Sequence, residues 1–143
     1  MPAINYFALF AAAVSSMIVG AVWYGPLFGK LWIIGMGWDP QDAAKMAAMK
    51  QSAGPKYAQQ FVGSLLMAFV LAHVLWAFRV ALPEMAGVAA ALMGGFWMWL
   101  GFILPVKYGD MLWGGKQFKY LSIDLGNYLV TLLVMGLILT LWR

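Results

Sequence analysis

Residues 4–30, INYFALFAAAVSSMIVGAVWYGPLFGK, carry no charge until the closing Lys30. An α-helix needs about 20 apolar residues to cross a ~30 Å hydrocarbon core, so this run is predicted to span a membrane. No basic residue precedes the apolar run, and Ala11-Ala12-Ala13 lies inside it rather than after it, so it reads as a retained helix and not as a signal peptide. Proline lacks an N–H and restricts the residue before it, so Gly25-Pro26 is expected to stop the helix at Tyr24. The exit also contains Gly25-Pro26-Leu27-Phe28-Gly29-Lys30, which is one residue short of a phosphate loop and lacks its Ser or Thr. A phosphate loop opens a helix, whereas this stretch leaves one. That reading is rejected.

The rest of the chain repeats the pattern. No charge occurs over residues 57–78, 85–106 or 125–142. Across the 143 residues, 64% are hydrophobic and 10% charged, with a mean hydropathy of +0.82; a soluble domain carries about a quarter charged residues. The expected fold is all-α: a single integral membrane four-helix bundle with helices at about 3–24, 57–78, 85–106 and 121–142. There is no cysteine, which excludes disulfides and thiolate chemistry.

Charge distribution predicts the orientation. Lys30, Lys45, Lys50, Lys56, Lys107, Lys116 and Lys119 flank the loops after helices 1 and 3, against Arg79 and Arg143 on the other side. Basic residues favour the cytoplasm, so those loops are expected on the cytoplasmic side of the cell membrane and both termini outside. The net charge of +4 suits anionic lipid head groups. Nucleic acid is not an expected partner, because the lysines are few and flank spans.

Between helices 1 and 2, Asp39-Pro40 with Asp42 and a Gly54-Pro55 exit predict a short interfacial helix over about 40–52, with Asp39 as its N-cap. Trp23, Tyr24, Lys30, Tyr57, Tyr108 and Tyr120 are expected to anchor the cytoplasmic interface as an aromatic and basic belt. Ala8, Ala12, Ser16 and Gly20 form a smooth stripe that lets another helix approach, within the chain or from a partner. A faint repeat pairs Tyr24-Gly25 with Tyr108-Gly109, and Tyr57 and Gly63 with Tyr120 and Gly126.

Polar side chains inside spans are costly in hydrocarbon and face protein or water. By depth, Ser16, Ser64, Asn127 and Thr131 fall in the inner half with Trp99, while Asp124 and Lys107 lie just below. Facing inward together, they would line a polar pocket open to the cytoplasm. The alternative is structural: hydroxyls bonded to their own helices, Asn127 in an interhelical bond, and Asp124 favoured by a helix dipole. His73, the one histidine, is expected to be neutral and bonded to a hydroxyl such as that of Tyr6 or Thr140.

Ile4-Asn5-Tyr6, the Trp23-Tyr24-Gly25-Pro26 to Phe28-Gly29-Lys30-Leu31-Trp32 exit, Trp99-Leu100-Gly101-Phe102 and Leu133-Val134-Met135-Gly136 together resemble the membrane-protein family named domain of unknown function 1761. The resemblance covers nearly the whole chain. It implies a small integral membrane protein of bacteria and fungi without an assigned activity. It also implies asparagine as common at Asp124 and histidine at Tyr128; this chain departs at both, which weakens a family-wide role for charge at position 124.

No base and nucleophile pair, metal set or cofactor motif can be named. The expected role is therefore non-enzymatic and cofactor-free: an oligomeric protein that binds or moves a small solute or ion. An accessory subunit of a larger membrane complex is the alternative.

Overall fold

The computed structural model describes residues 4–142. The expected helix start at Ala3 and the placement of Arg143 lie outside the described residues. Among these residues there are six helices: α1 (Tyr6–Leu27), α2 (Gly29–Gly35), α3 (Ala43–Gln51), α4 (Ala53–Ala81), α5 (Gly87–Gly114) and α6 (Phe118–Leu141). Helices α1, α4, α5 and α6, of 22, 29, 28 and 24 residues, are long and apolar enough to cross a membrane. The chain has the build of a multi-pass, all-α membrane protein with a four-helix bundle.

Asn5 starts α1, its side chain accepting from the Phe7 and Ala8 N–H groups at 3.0 and 3.2 Å. Gly25-Pro26 does not stop the helix at Tyr24. The helix widens into one π turn over Trp23–Leu27 with Pro26 inside it, and the chain turns at Phe28. A proline ring strikes the carbonyl four residues back in an α-helix, and the wider π turn relieves that contact. The chain then folds back so tightly that a Cβ on Gly29 would lie 2.7 Å from the Tyr24 carbonyl oxygen.

The cap of α3 is Asp42, not Asp39. Asp39 accepts from the Gln41 N–H at 2.8 Å in a local turn, leaving Asp42 to accept from the Lys45 N–H at 3.0 Å. Gly54-Pro55 sits in the first turn of α4 rather than ending α3, since a proline there sacrifices no helical hydrogen bond. Helix α5 continues past its expected end. It contains a second π turn, Trp99–Ile103, and runs on to Gly114, with Lys107 and Asp110 facing each other one turn apart at 3.6 Å as a small added contribution. Gly115, at φ +68°, closes it, and α6 begins at Phe118.

Helix α6 is the central element: 44% of its 18-residue apolar stretch is buried, against 22% in each of the others. Its neighbours α1 and α5 run antiparallel to it. Leu9, Ala12, Leu71, Leu75, Leu132 and Met135 form the apolar core, while Phe7, Val62, Leu66 and Phe102 point outward as lipid-facing residues do. Helices α5 and α6 approach each other closely through backbone at two glycines. A Cβ on Gly95 would meet the Leu132 carbonyl oxygen at 2.9 Å, and one on Gly136 the Ala91 carbonyl oxygen at 2.9 Å.

The α1 stripe divides along its length. Ala8 and Ala12 are buried within the bundle, Ser16 bonds to α4, and among the described residues nothing outside the local backbone of α1 lies within 4 Å of where a Cβ on Gly20 would be. The first pairing of the sequence repeat falls at different places in the two helices. Tyr24-Gly25 lies inside the first π turn, whereas Tyr108-Gly109 lies beyond the second. The residues that do correspond are Trp23 and Gly25 with Trp99 and Gly101, at matching places in the two π turns.

Candidate functional site

The polar groups of α6 lie on one face. Asp124, Asn127 and Thr131 recur at helical spacing, and all three are buried against the neighbouring helices. Asp124 is the centre of the group. Its Oδ1 accepts from the Tyr24 hydroxyl at 3.0 Å and its Oδ2 from the Lys116 ammonium at 2.5 Å. Tyr24 comes from the π turn of α1, and Lys116 from the short link between α5 and α6. Asp124 is not in the first turn of α6, because the helix begins at Phe118. Its negative charge is therefore met chiefly by Lys116, and only slightly by the helix dipole, which fades beyond the first turn.

Two tryptophans hold α6 on either side of this carboxylate. Trp23 donates its indole N–H to the Ile123 carbonyl and Trp99 to the Leu125 carbonyl, each at 2.8 Å. Gly126 makes the first of these bonds sterically accessible: a Cβ there would lie 2.7 Å from the Trp23 ring. Asn127 is one turn deeper. Its amide nitrogen is buried with no hydrogen-bond partner among the described residues. A buried donor left unpaired costs about 1–3 kcal/mol, so it is a place where an acceptor on a ligand would be favoured.

The remaining residues of the expected pocket divide into separate groups. Ser16 donates to Ser64 at 2.7 Å, joining α1 to α4, and Ser64 in turn bonds the Gln60 carbonyl of its own helix at 3.0 Å. Thr131 is buried on the α6 face above Asn127. Lys107 is not at Asp124; it lies beside Asp110 and 5.5 Å over the Tyr128 ring. The cation at the carboxylate is Lys116.

Of the expected anchors, Trp23 and Tyr24 turn inward to α6, while Lys30, Tyr57 and Tyr108 are exposed. Tyr120 is half-buried against Gly35 of α2. His73 bonds the Phe69 carbonyl of its own helix at 2.8 Å, in place of a hydroxyl, and its ring lies 4.4 Å from that of Phe69. The i to i+4 spacing along one helix puts that carbonyl within reach of the ring.

Sequence reasoning missed Tyr24 and Lys116. Tyr24 reads equally well as an interfacial aromatic, and Lys116 as one of several topological charges. The available signal was that Asp124 is the one acid flanking the last span, and a buried acid needs a cation.

Neither curated proteins nor solved structures give a match. A family model, described as a protein of unknown function, matches residues 7–140, so both tryptophans, Lys116 and the whole polar face of α6 lie within the matched region. The chain belongs to that family, DUF1761.

Proposed function

We propose that this protein is non-enzymatic and binds a small polar or ionic solute at the Asp124 end of the bundle, carrying it across the membrane. The observation that supports the reading is the Asn127 amide, buried and without a partner among the described residues, one turn from an ion pair. Lys116 has a side chain 28% exposed, so a solute arriving from that end meets a cation that can exchange its partner. An acceptor atom on the solute would take the Asn127 N–H, while its charge competes for Lys116 or Asp124. With the lysine-rich loops in the cytoplasm, this end opens to the cytoplasm.

The test uses the purified chain in detergent and in liposomes with a panel of small anions, cations and zwitterions. Thermal stabilisation by one class, and its uptake into liposomes, is expected for the wild type. Asn127→Leu and Asp124→Ala should lose both while still inserting. Unaltered responses in the two variants, or no response of the wild type to any class, would sink the reading.

An accessory-subunit or homo-oligomer role is the second reading, and Gly20 supports it. Its surface is open where a partner helix would seat, although Ala8 and Ala12 of the same stripe are already buried within the chain. Loss of a stoichiometric partner on Gly20→Leu would favour it over solute binding.

A further inference from the structure

At the opposite end of the bundle, residues of all four spanning helices line a half-open recess of about 100 Å3, with Arg79 exposed at it. Asn5, Trp76, Arg79, Ala86, Thr140 and Trp142 are among the residues that line it. Arg79 has neither an ion-pair nor a hydrogen-bond partner among the described residues; Glu84, in the adjoining turn, does not pair with it. Ala86 precedes α5 and supplies no side-chain cap, so the first N–H groups of that helix and its dipole favour an anion on the same side.

Met85 and Ala90 line this cavity and also a second one, a groove of about 270 Å3. The groove is apolar throughout, formed by those two residues with Phe78, Leu82, Met93 and Trp97. Leu82, Met93 and Trp97 are substantially exposed on the flank of the bundle. A cationic recess that shares its wall with an apolar channel matches a molecule that is anionic at one end and hydrocarbon at the other.

We propose that this end binds a phospholipid, with its phosphate at Arg79 and one acyl chain along the groove between the end of α4 and the start of α5. Guanidinium groups pair phosphate oxygens through parallel N–H donors, which suits arginine better than lysine at this position. A free phosphate would satisfy Arg79 but would leave the apolar groove without a counterpart. The site is separate from the Asp124 cluster and does not depend on solute binding there.

The experiment delipidates the full chain in detergent, then measures bound lipid by native mass spectrometry and thermal stability as phosphatidylglycerol or sodium phosphate is added back. The wild type is expected to hold one phosphatidylglycerol per chain and to be stabilised by the lipid, but not by phosphate. Arg79→Gln should weaken lipid binding about fivefold, the effect of one basic residue at an anionic surface. Met93→Trp, which fills the groove from an exposed position, should weaken it with Arg79 intact. Lipid binding that is absent in the wild type, or unchanged in both folded variants, overturns the proposal. So does equal stabilisation by phosphate, which makes the ligand a free anion. A change in oligomer mass with Met93→Trp and no change in lipid would instead make the groove a contact between chains, and the proposal would fall.

Discussion

Trp23 lies in the slot left by the missing side chain of Gly126: a Cβ there would be 2.7 Å from the indole ring, and from that slot the indole reaches the Ile123 carbonyl at 2.8 Å. The glycine is thus part of the hydrogen bond although it makes none itself. Gly126→Ala should displace the indole and destabilise the protein by about 1–3 kcal/mol, the usual cost of overpacking. In a Trp23→Phe background, whose smaller ring leaves room, the same alanine should cost far less. Unfolding titrations of the two single variants and the double variant check this, and additive losses would refute the slot.

The Lys116 and Asp124 pair should show the asymmetry of buried charges. Lys116→Met strands the carboxylate and is expected to cost about 2–3 kcal/mol, somewhat less than a fully buried pair because the lysine is 28% exposed. Lys116→Met with Asp124→Asn removes the charge while the Asn oxygen still accepts from Tyr24, and should recover most of that loss. Detergent unfolding curves of the single and double variants measure both.

Gly95 and Gly136 set how closely α5 and α6 approach, because each would place a Cβ 2.9 Å from a backbone carbonyl that cannot rotate away. Alanine at either position should destabilise the protein by about 1–3 kcal/mol. Gly20 and Gly101 have open space around them, and alanine there should change stability by no more than about 0.5 kcal/mol, or raise it slightly. Melting temperatures of the four variants should therefore fall into two groups.

The Ser16 to Ser64 bond crosses between helices at 2.7 Å, yet both hydroxyls also reach carbonyls of their own helices. A double-mutant cycle with Ser16→Ala and Ser64→Ala should give a coupling of about 0.6 kcal/mol, typical of such bonds in membrane proteins. A coupling indistinguishable from zero would mean that each serine is satisfied by its own helix.

The orientation is directly testable because the chain has no cysteine. Lys50→Cys on α3 and Glu84→Cys in the turn before α5 report opposite ends of the bundle. A membrane-impermeant maleimide added to intact cells is expected to label only the variant at position 84. Labelling only at position 50 would invert the assignment.

The bundle was legible because Lys30, Lys56, Arg79, Glu84 and Lys107 bracket apolar runs, and burying a charge in hydrocarbon is expensive. The helix ends were less so. Gly54-Pro55 looks the same in sequence whether it ends one helix or begins the next, and Gly109-Asp110 resembles a turn until Lys107 pairs across it. Asp124 and Asn127 stood out as polar groups in or beside an apolar run. Tyr24 did not, because an aromatic at a span's end can face lipid or protein, and the rotation of the helix decides which. Lys116 was hidden for another reason: only a link as short as Gly115-Lys116-Gln117, followed at once by α6, brings it back over Asp124.

The π turn at Trp99–Ile103 has a consequence for length changes in the chain. Such a turn holds one residue more than the α-helix would, so the residues after it face as they would in an uninterrupted α-helix one residue shorter. Upstream, Ala91 and Gly95 meet α6; downstream, Lys107 comes over Tyr128. Deleting a single residue within the turn would leave the hydropathy profile and the spanning length nearly unchanged. With the turn reverted to α-helix, the second half of α5 would keep its facing toward α6, whereas the same deletion elsewhere in the helix would rotate everything after it by about 100°. A one-residue gap is therefore absorbed here better than at other places in α5.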